Sequence, residues 1–153
     1  MIGRMGVLFG YYAAADDQDA GRAVVRTDGE PSGTGYDQFV VKGVDPIVDL
    51  LTVEFVLTGR PASVIKADPR HGHLVATVGE GDVVSVSLTD AFRDELASVD
   101  REFLNDVARS WASSGRFSTP PDEDHLADFL QQLAALAERA VGQGHGLYCW
   151  ICP

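Results

Sequence analysis

The sequence predicts an α+β fold: a small mixed or antiparallel sheet that includes both terminal strands, packed against several helices. Three observations carry this. Short apolar runs open and close the chain, at residues 7–14 (VLFGYYAA) and 147–152 (LYCWIC). Residues 83–88 (VVSVSL) alternate with a period of two. Between these runs, apolar residues recur at helical spacing, without the strand–helix rhythm that a doubly wound parallel sheet needs.

Residues 7–14 are apolar, aromatic and short, and read as the first strand. Tyr11 and Tyr12 then point to opposite faces, and Tyr11 is a candidate to line a pocket. Asp16 or Asp17 caps a short helix reaching Val25, weakened by Gly21. Residues 27–35 (TDGEPSGTG) have loop composition. Phe39, Val40 and Val41 form a brief strand. Asp45-Pro46 starts a helix, with Asp as cap and Pro at the first helical position. Ile47, Leu50, Leu51 and Phe55 recur along it, and Glu54 falls on the same stripe. Gly59 ends it, and Pro61 confirms the stop. Residues 62–77 read as irregular, with a turn at Asp68-Pro69.

Residues 83–88 predict a half-buried strand, because Val84, Val86 and Leu88 alternate with Ser85 and Ser87. Thr89 caps the next helix, which carries Ala91, Phe92 and Leu96. Asp100 caps another, whose buried stripe is Phe103, Leu104, Val107, Ala108 and Trp111, with Gly115 as its end. Pro120-Pro121 breaks the chain. Asp122, Glu123 and Asp124 favour a helix N-terminus through the helix dipole. Leu126, Phe129, Leu130, Leu133, Leu136, Ala137 and Ala140 trace the longest amphipathic helix, closed by Gly142 and Gly144. Residues 147–152 are the last strand.

The 153 residues suit one domain spanning 1–153. A chain of this length buries roughly 70% of its unfolded surface and folds without staples. Twelve basic against 23 acidic residues give a net charge of −11. That balance argues against nucleic acid and anionic membranes as partners and favours a basic protein partner. The first residues show no signal-peptide pattern, and no apolar run is long enough to span a bilayer. Two cysteines near the C-terminal end are no disulfide framework, and the cytoplasm is the expected location.

Cys149 and Cys152 form a CxxC, yet in a strand residues three apart face opposite ways, so the pair shares a bond or a metal only if the terminus frays. His71-Gly72-His73 lacks the usual helical zinc spacing. Asp122-Glu123-Asp124-His125 diverge around a helix and read as dipole stabilisation. The glycines of residues 29–35 match neither a dinucleotide fingerprint nor a P-loop. No catalytic residue, metal ligand or cofactor is nominated. Glu54, on its apolar stripe, is expected to be partly buried and paired with Arg60 at the helix end.

Several short motifs form a pattern: Met5-Gly6-Val7 leading into Phe9-Gly10-Tyr11-Tyr12; a helix ending Val56-Leu57-Thr58-Gly59; Val78-Gly79-Glu80; and Leu136-Ala137-Glu138-Arg139-Ala140 before a glycine turn and an apolar strand. The chain in this respect resembles the YfbM-like family of small bacterial proteins, a family of unknown function. The resemblance implies an α+β fold with the two terminal strands side by side, and residues 1–4 as an N-terminal extension. It brings no established activity, and points to Thr58, Gly59 and Glu80 as the place where a shared site would lie.

Two functions follow as expectations. The first is a non-catalytic protein-binding or regulatory module that docks a basic partner. The alternative is a small-molecule-binding protein or enzyme with a polar cleft near Glu54, Thr58 and Arg60, with Glu80 beside them. A homodimer through a sheet edge offered by the terminal strands is also open.

Overall fold

The computed structural model describes residues 7–24, 36–114 and 122–152. The expectations for residues 1–4, for the loop at 27–35, and for Gly115 and Pro120-Pro121 fall outside that range. Among the described residues there are five strands: β1 (Leu8–Ala14), β2 (Gln38–Lys42), β3 (Leu74–Val78), β4 (Val83–Ser87) and β5 (Gly146–Cys152). The helices are α1 (Asp17–Val24), α2 (Leu51–Thr58), α3 (Ala62–Ala67), α4 (Asp90–Ser98), α5 (Arg101–Ala112) and α6 (Glu123–Gln143).

The strands form one antiparallel sheet in the order β2-β1-β5-β4-β3. The α+β expectation holds, and the first and last strands are neighbours along their whole length, from Leu8 opposite Cys152 to Ala14 opposite Gly146. They occupy the middle of the sheet. The edges are β2 and β3, so the terminal strands offer no free edge for a dimer.

Strand alternation sorts the side chains onto two faces. Phe9, Tyr11, Ala13, Leu147 and Cys149 join the larger core, with Leu50 and Val53 at α2 and the apolar stripes of α4, α5 and α6. Tyr12, Ala14, Tyr148 and Trp150 face the other way, against Ala20, Ala23 and Val24 of α1. Because α1 covers that second face, β4 is buried on both sides, and the half-buried reading is corrected. Ser85 and Ser87 are within 1% of full burial. Their hydroxyls are satisfied, Ser85 Oγ with Tyr12 Oη at 2.7 Å and Ser87 Oγ donating to Arg70 O at 2.6 Å.

The helix ends follow local chemistry. Thr89, Asp100 and Asp122 accept from the backbone N–H groups of Phe92, Glu102 and Asp124. Gly59 and Gly144 take left-handed conformations, φ 74° and 72°, that stop α2 and α6. Gly142 lies inside α6 and does not end it.

Three further expectations are corrected. Asp45 does act as a cap, its Oδ1 accepting from Ile47 and Val48 N–H at 2.7 and 2.9 Å. What it caps is a turn over residues 46–50, and the helix begins at Leu51. Residues 62–77 are not irregular: they hold α3 and β3. Phe103 is 43% exposed, because Leu104, Val107, Ala108 and Trp111 alone face the core.

Candidate functional site

Among the described residues Glu54 is the one buried carboxylate, at 4% exposure. The helical stripe that buries Leu51 and Val53 carries it inward. Its Oε2 accepts the Thr89 hydroxyl at 2.6 Å. The same Thr89 oxygen accepts the Phe92 N–H at 3.1 Å, so one side chain caps α4 and ties it to α2. Burial pushes the Glu54 pKa above the ordinary carboxylate range, and the Thr89 hydrogen bond and the Arg60 charge oppose that rise.

The expected Glu54–Arg60 pair is not formed. Arg60 Nη2 reaches Asp68 at 2.9 Å. Thr58 Oγ1 donates to the Glu54 backbone carbonyl at 2.7 Å and accepts the Arg60 N–H at 3.1 Å, which makes it part of the helix end. Glu80 stands exposed in the turn between β3 and β4. Tyr11 is fully buried, its hydroxyl donating to Val44 O at 2.6 Å and its ring stacked on Phe39. Of the six sequence candidates, Glu54, Thr58, Gly59 and Arg60 share one helix end. Tyr11 and Glu80 belong to other elements.

A polar cluster that local spacing does not announce adjoins this helix end through Asp68, which accepts from Arg60 Nη2 at 2.9 Å and from the Arg70 N–H at 2.8 Å. There β1 runs into α1 and α6 turns into β5. Asp17, the first residue of α1, takes two hydrogen bonds from Arg70, each 2.8 Å, and one from the Tyr148 hydroxyl at 2.9 Å. The Arg70 guanidinium sits over the Tyr148 ring, 5.8 Å from its centroid. His73 Nε2 is 3.9 Å from Asp17. Arg93, from α4, donates to His145 O at 3.0 Å and pairs with Asp94 at 2.9 Å. Asp17, Arg70, Arg93 and Tyr148 line a cleft of about 490 Å³ with Asp16, Asp90 and Gly144. A smaller cleft of about 400 Å³ lies nearby, lined by Asp19, Tyr36, Asp37, Arg139 and His145.

The chemistry of this end is charge holding. Arg70 and Tyr148 keep Asp17 below the usual carboxylate range. Burial and Asp17 push the Tyr148 phenol up, so it stays protonated as a donor. Such a constellation leaves its carboxylate occupied and frees no base. Asp17 carries a sequence signal only as a helix start, and Arg70 and Tyr148 lie 53 and 131 residues from it.

Cys149 and Cys152 do face opposite sides of β5. Cys149 is in the larger core, with its thiol pushed up by burial, and Cys152 packs on the α1 side. Among the described residues no group of three or more His, Cys, Asp or Glu converges on a metal position. No helix among them is long and apolar enough to cross a membrane. No protein-family model, curated protein or solved structure matches this chain.

Proposed function

We propose that the chain is a non-catalytic protein-binding module that docks a basic partner on the acidic outer surface of α4, α5 and α6. The observation that carries this is the distribution of charge. Arg22, Arg60, Arg70, Arg93, Arg101, Arg109 and Arg139 each close an ion pair within the chain. The carboxylate excess is therefore displayed outward. Glu95, Asp100, Glu102, Asp122, Asp124 and Asp128 all stand exposed on the helical layer. Such a surface speeds encounter with a basic patch and selects against acidic ones. The groups with intrinsic reactivity support the reading: Cys149 and Tyr11 are fully buried and held in their protonated forms.

The test compares two charge reversals of equal size. Glu102→Lys with Asp128→Lys alters the helical layer, and Glu80→Lys with Asp82→Lys alters the hairpin turn. A partner retained on the immobilised wild-type chain and released by salt should be lost with the first pair and kept with the second. Equal loss with both pairs, or retention that salt does not affect, would sink the reading.

A second reading, small-molecule binding, is favoured by one observation: the polar cleft beside Asp17, Arg70 and Tyr148 has the volume of a ligand site. The lining of this cleft does not include Glu54, Thr58 or Arg60, although Asp68 joins Arg60 to Arg70. A panel of polar metabolites that raises the melting temperature of the wild type but not of Arg70→Met would support it. Membership of the YfbM-like family and a cytoplasmic location are proposals on the same footing. The adjacency of β1 and β5 agrees with the first, and two free cysteines agree with the second.

A further inference from the structure

Helix α2 carries apolar side chains on its outer side as well as toward the core. Leu51 and Val53 face the core, while Phe55 and Val56 face solvent at 47% and 42% exposure. Val48, before the helix, and Val64, on α3, are exposed too, at 58% and 48%. A helix of this composition is ordinarily covered on all sides. A groove of about 500 Å³ runs beside it, lined by Leu51, Thr52, Phe55, Pro61, Ala62 and Ser114. Thr52 Oγ1 is buried there with no hydrogen-bond partner among the described residues. The patch also departs from the charge pattern of the chain. Between residues 50 and 67 the one carboxylate is Glu54, which is turned inward. Asp45 and Asp49 precede the N-terminal end of α2, and Lys66 follows its C-terminal end, where Arg60 is already paired with Asp68.

We propose that a second copy of this chain covers this face, forming a two-fold dimer in which α2 lies antiparallel to α2 of the other copy. Charge selects the occupant. A molecule of net charge −11 repels its own kind most strongly through its carboxylate-bearing faces, and this face displays few carboxylates. A two-fold axis lays the patch on itself, apolar on apolar. It also brings the Asp45 and Asp49 end of each copy opposite the Lys66 end of the other, so the contact is self-complementary. A basic partner fits this face less well, because Lys66 flanks it. The dimer goes beyond the docking function proposed above and does not rest on it.

Sedimentation of the full chain over a concentration series up to about 100 μM, well above a micromolar Kd, tests the proposal. The wild type should show a dimer that gives way to monomer on dilution. Val56→Glu and Phe55→Ser, both at exposed positions, should each yield monomer with an unchanged far-ultraviolet spectrum. Lys66→Glu should raise Kd about tenfold by replacing an attraction with a repulsion. A wild type that stays monomeric throughout overturns the proposal. So does a dimer that survives both Val56→Glu and Phe55→Ser, which would run through an edge strand. An unchanged Kd in Lys66→Glu overturns the antiparallel arrangement.

Discussion

Glu54 and Asp17 sit in surroundings that shift their acidity in opposite directions, and the pH dependence of stability follows with opposite signs. Glu54 is raised, so its contribution is complete below the reference value of about 4.3 and is lost as pH rises through its folded value. Glu54→Gln should flatten that fall in stability, read as the urea midpoint against pH; a profile identical to the wild type would show that Glu54 is not its source. Asp17 is lowered, so its contribution is present above the reference value of about 3.9 and lost as pH falls through its folded value. Asp17→Asn should cost about 1 kcal/mol at neutral pH, because the pair with Arg70 is partly open to solvent. It should also weaken the loss of stability on the acid side. A variant as stable as the wild type at both ends of the range would contradict this. Sequence reaches only part of these sites. A carboxylate on an apolar stripe makes the burial of Glu54 legible. Its partner is not, since a residue six positions on, like Arg60, lies roughly 240° round a helix and here falls beyond its stop. Thr89 is legible as a cap and silent about Glu54, which is 35 residues away.

At the scale of elements, β1 and β5 meet most closely at Gly10 and Trp150, which are partners across the ladder. A Cβ on Gly10 would lie 2.0 Å from the indole. That ring crosses β1 and donates its Nε1–H to Gln38 Oε1 on β2 at 3.1 Å. Gly10→Ala should therefore destabilise by about 1–3 kcal/mol and disturb the aromatic circular dichroism. Unchanged stability and spectrum would mean that the indole moves aside freely. The capped helices are legible because their signals are local: Thr89, Asp100 and Asp122 all cap where the pattern begins. The elements that escape notice are α3 and β3. The helix α3 has only six residues and buries Ile65 alone, so it shows no stripe. Strand β3 has a register shift between Leu74 and Ala76 that breaks the alternation a reader would look for. The turn at residues 46–50 delays α2 for a similar reason: the cap chemistry of Asp45 is correct, but it closes a turn first.

For the molecule as a whole, strand content and the pairing of the chain's two ends are legible from their apolar runs. Their place in the middle of the sheet is not, because sheet order is set by which faces the helices cover. With α2, α4, α5 and α6 on one side and α1 on the other, β1 and β5 are the strands that most need burial on both faces. Removing residues 146–152 should therefore abolish cooperative unfolding rather than merely lower its midpoint, as seen by thermal melts and by loss of amide protection in β1 and β4. A truncated chain that still unfolds cooperatively would count against the central role of β5. The same seam has a consequence for biosynthesis. β1 is the first strand to leave the ribosome and β5 the last, yet each is the other's longest partner. Until β5 emerges, the β1–β2 pair and the β3–β4 hairpin each carry an unpaired strand flank of the kind that recruits other chains. Folding of this sheet is therefore completed only once β5 has emerged, and the nascent chain passes through its most aggregation-prone stage before then.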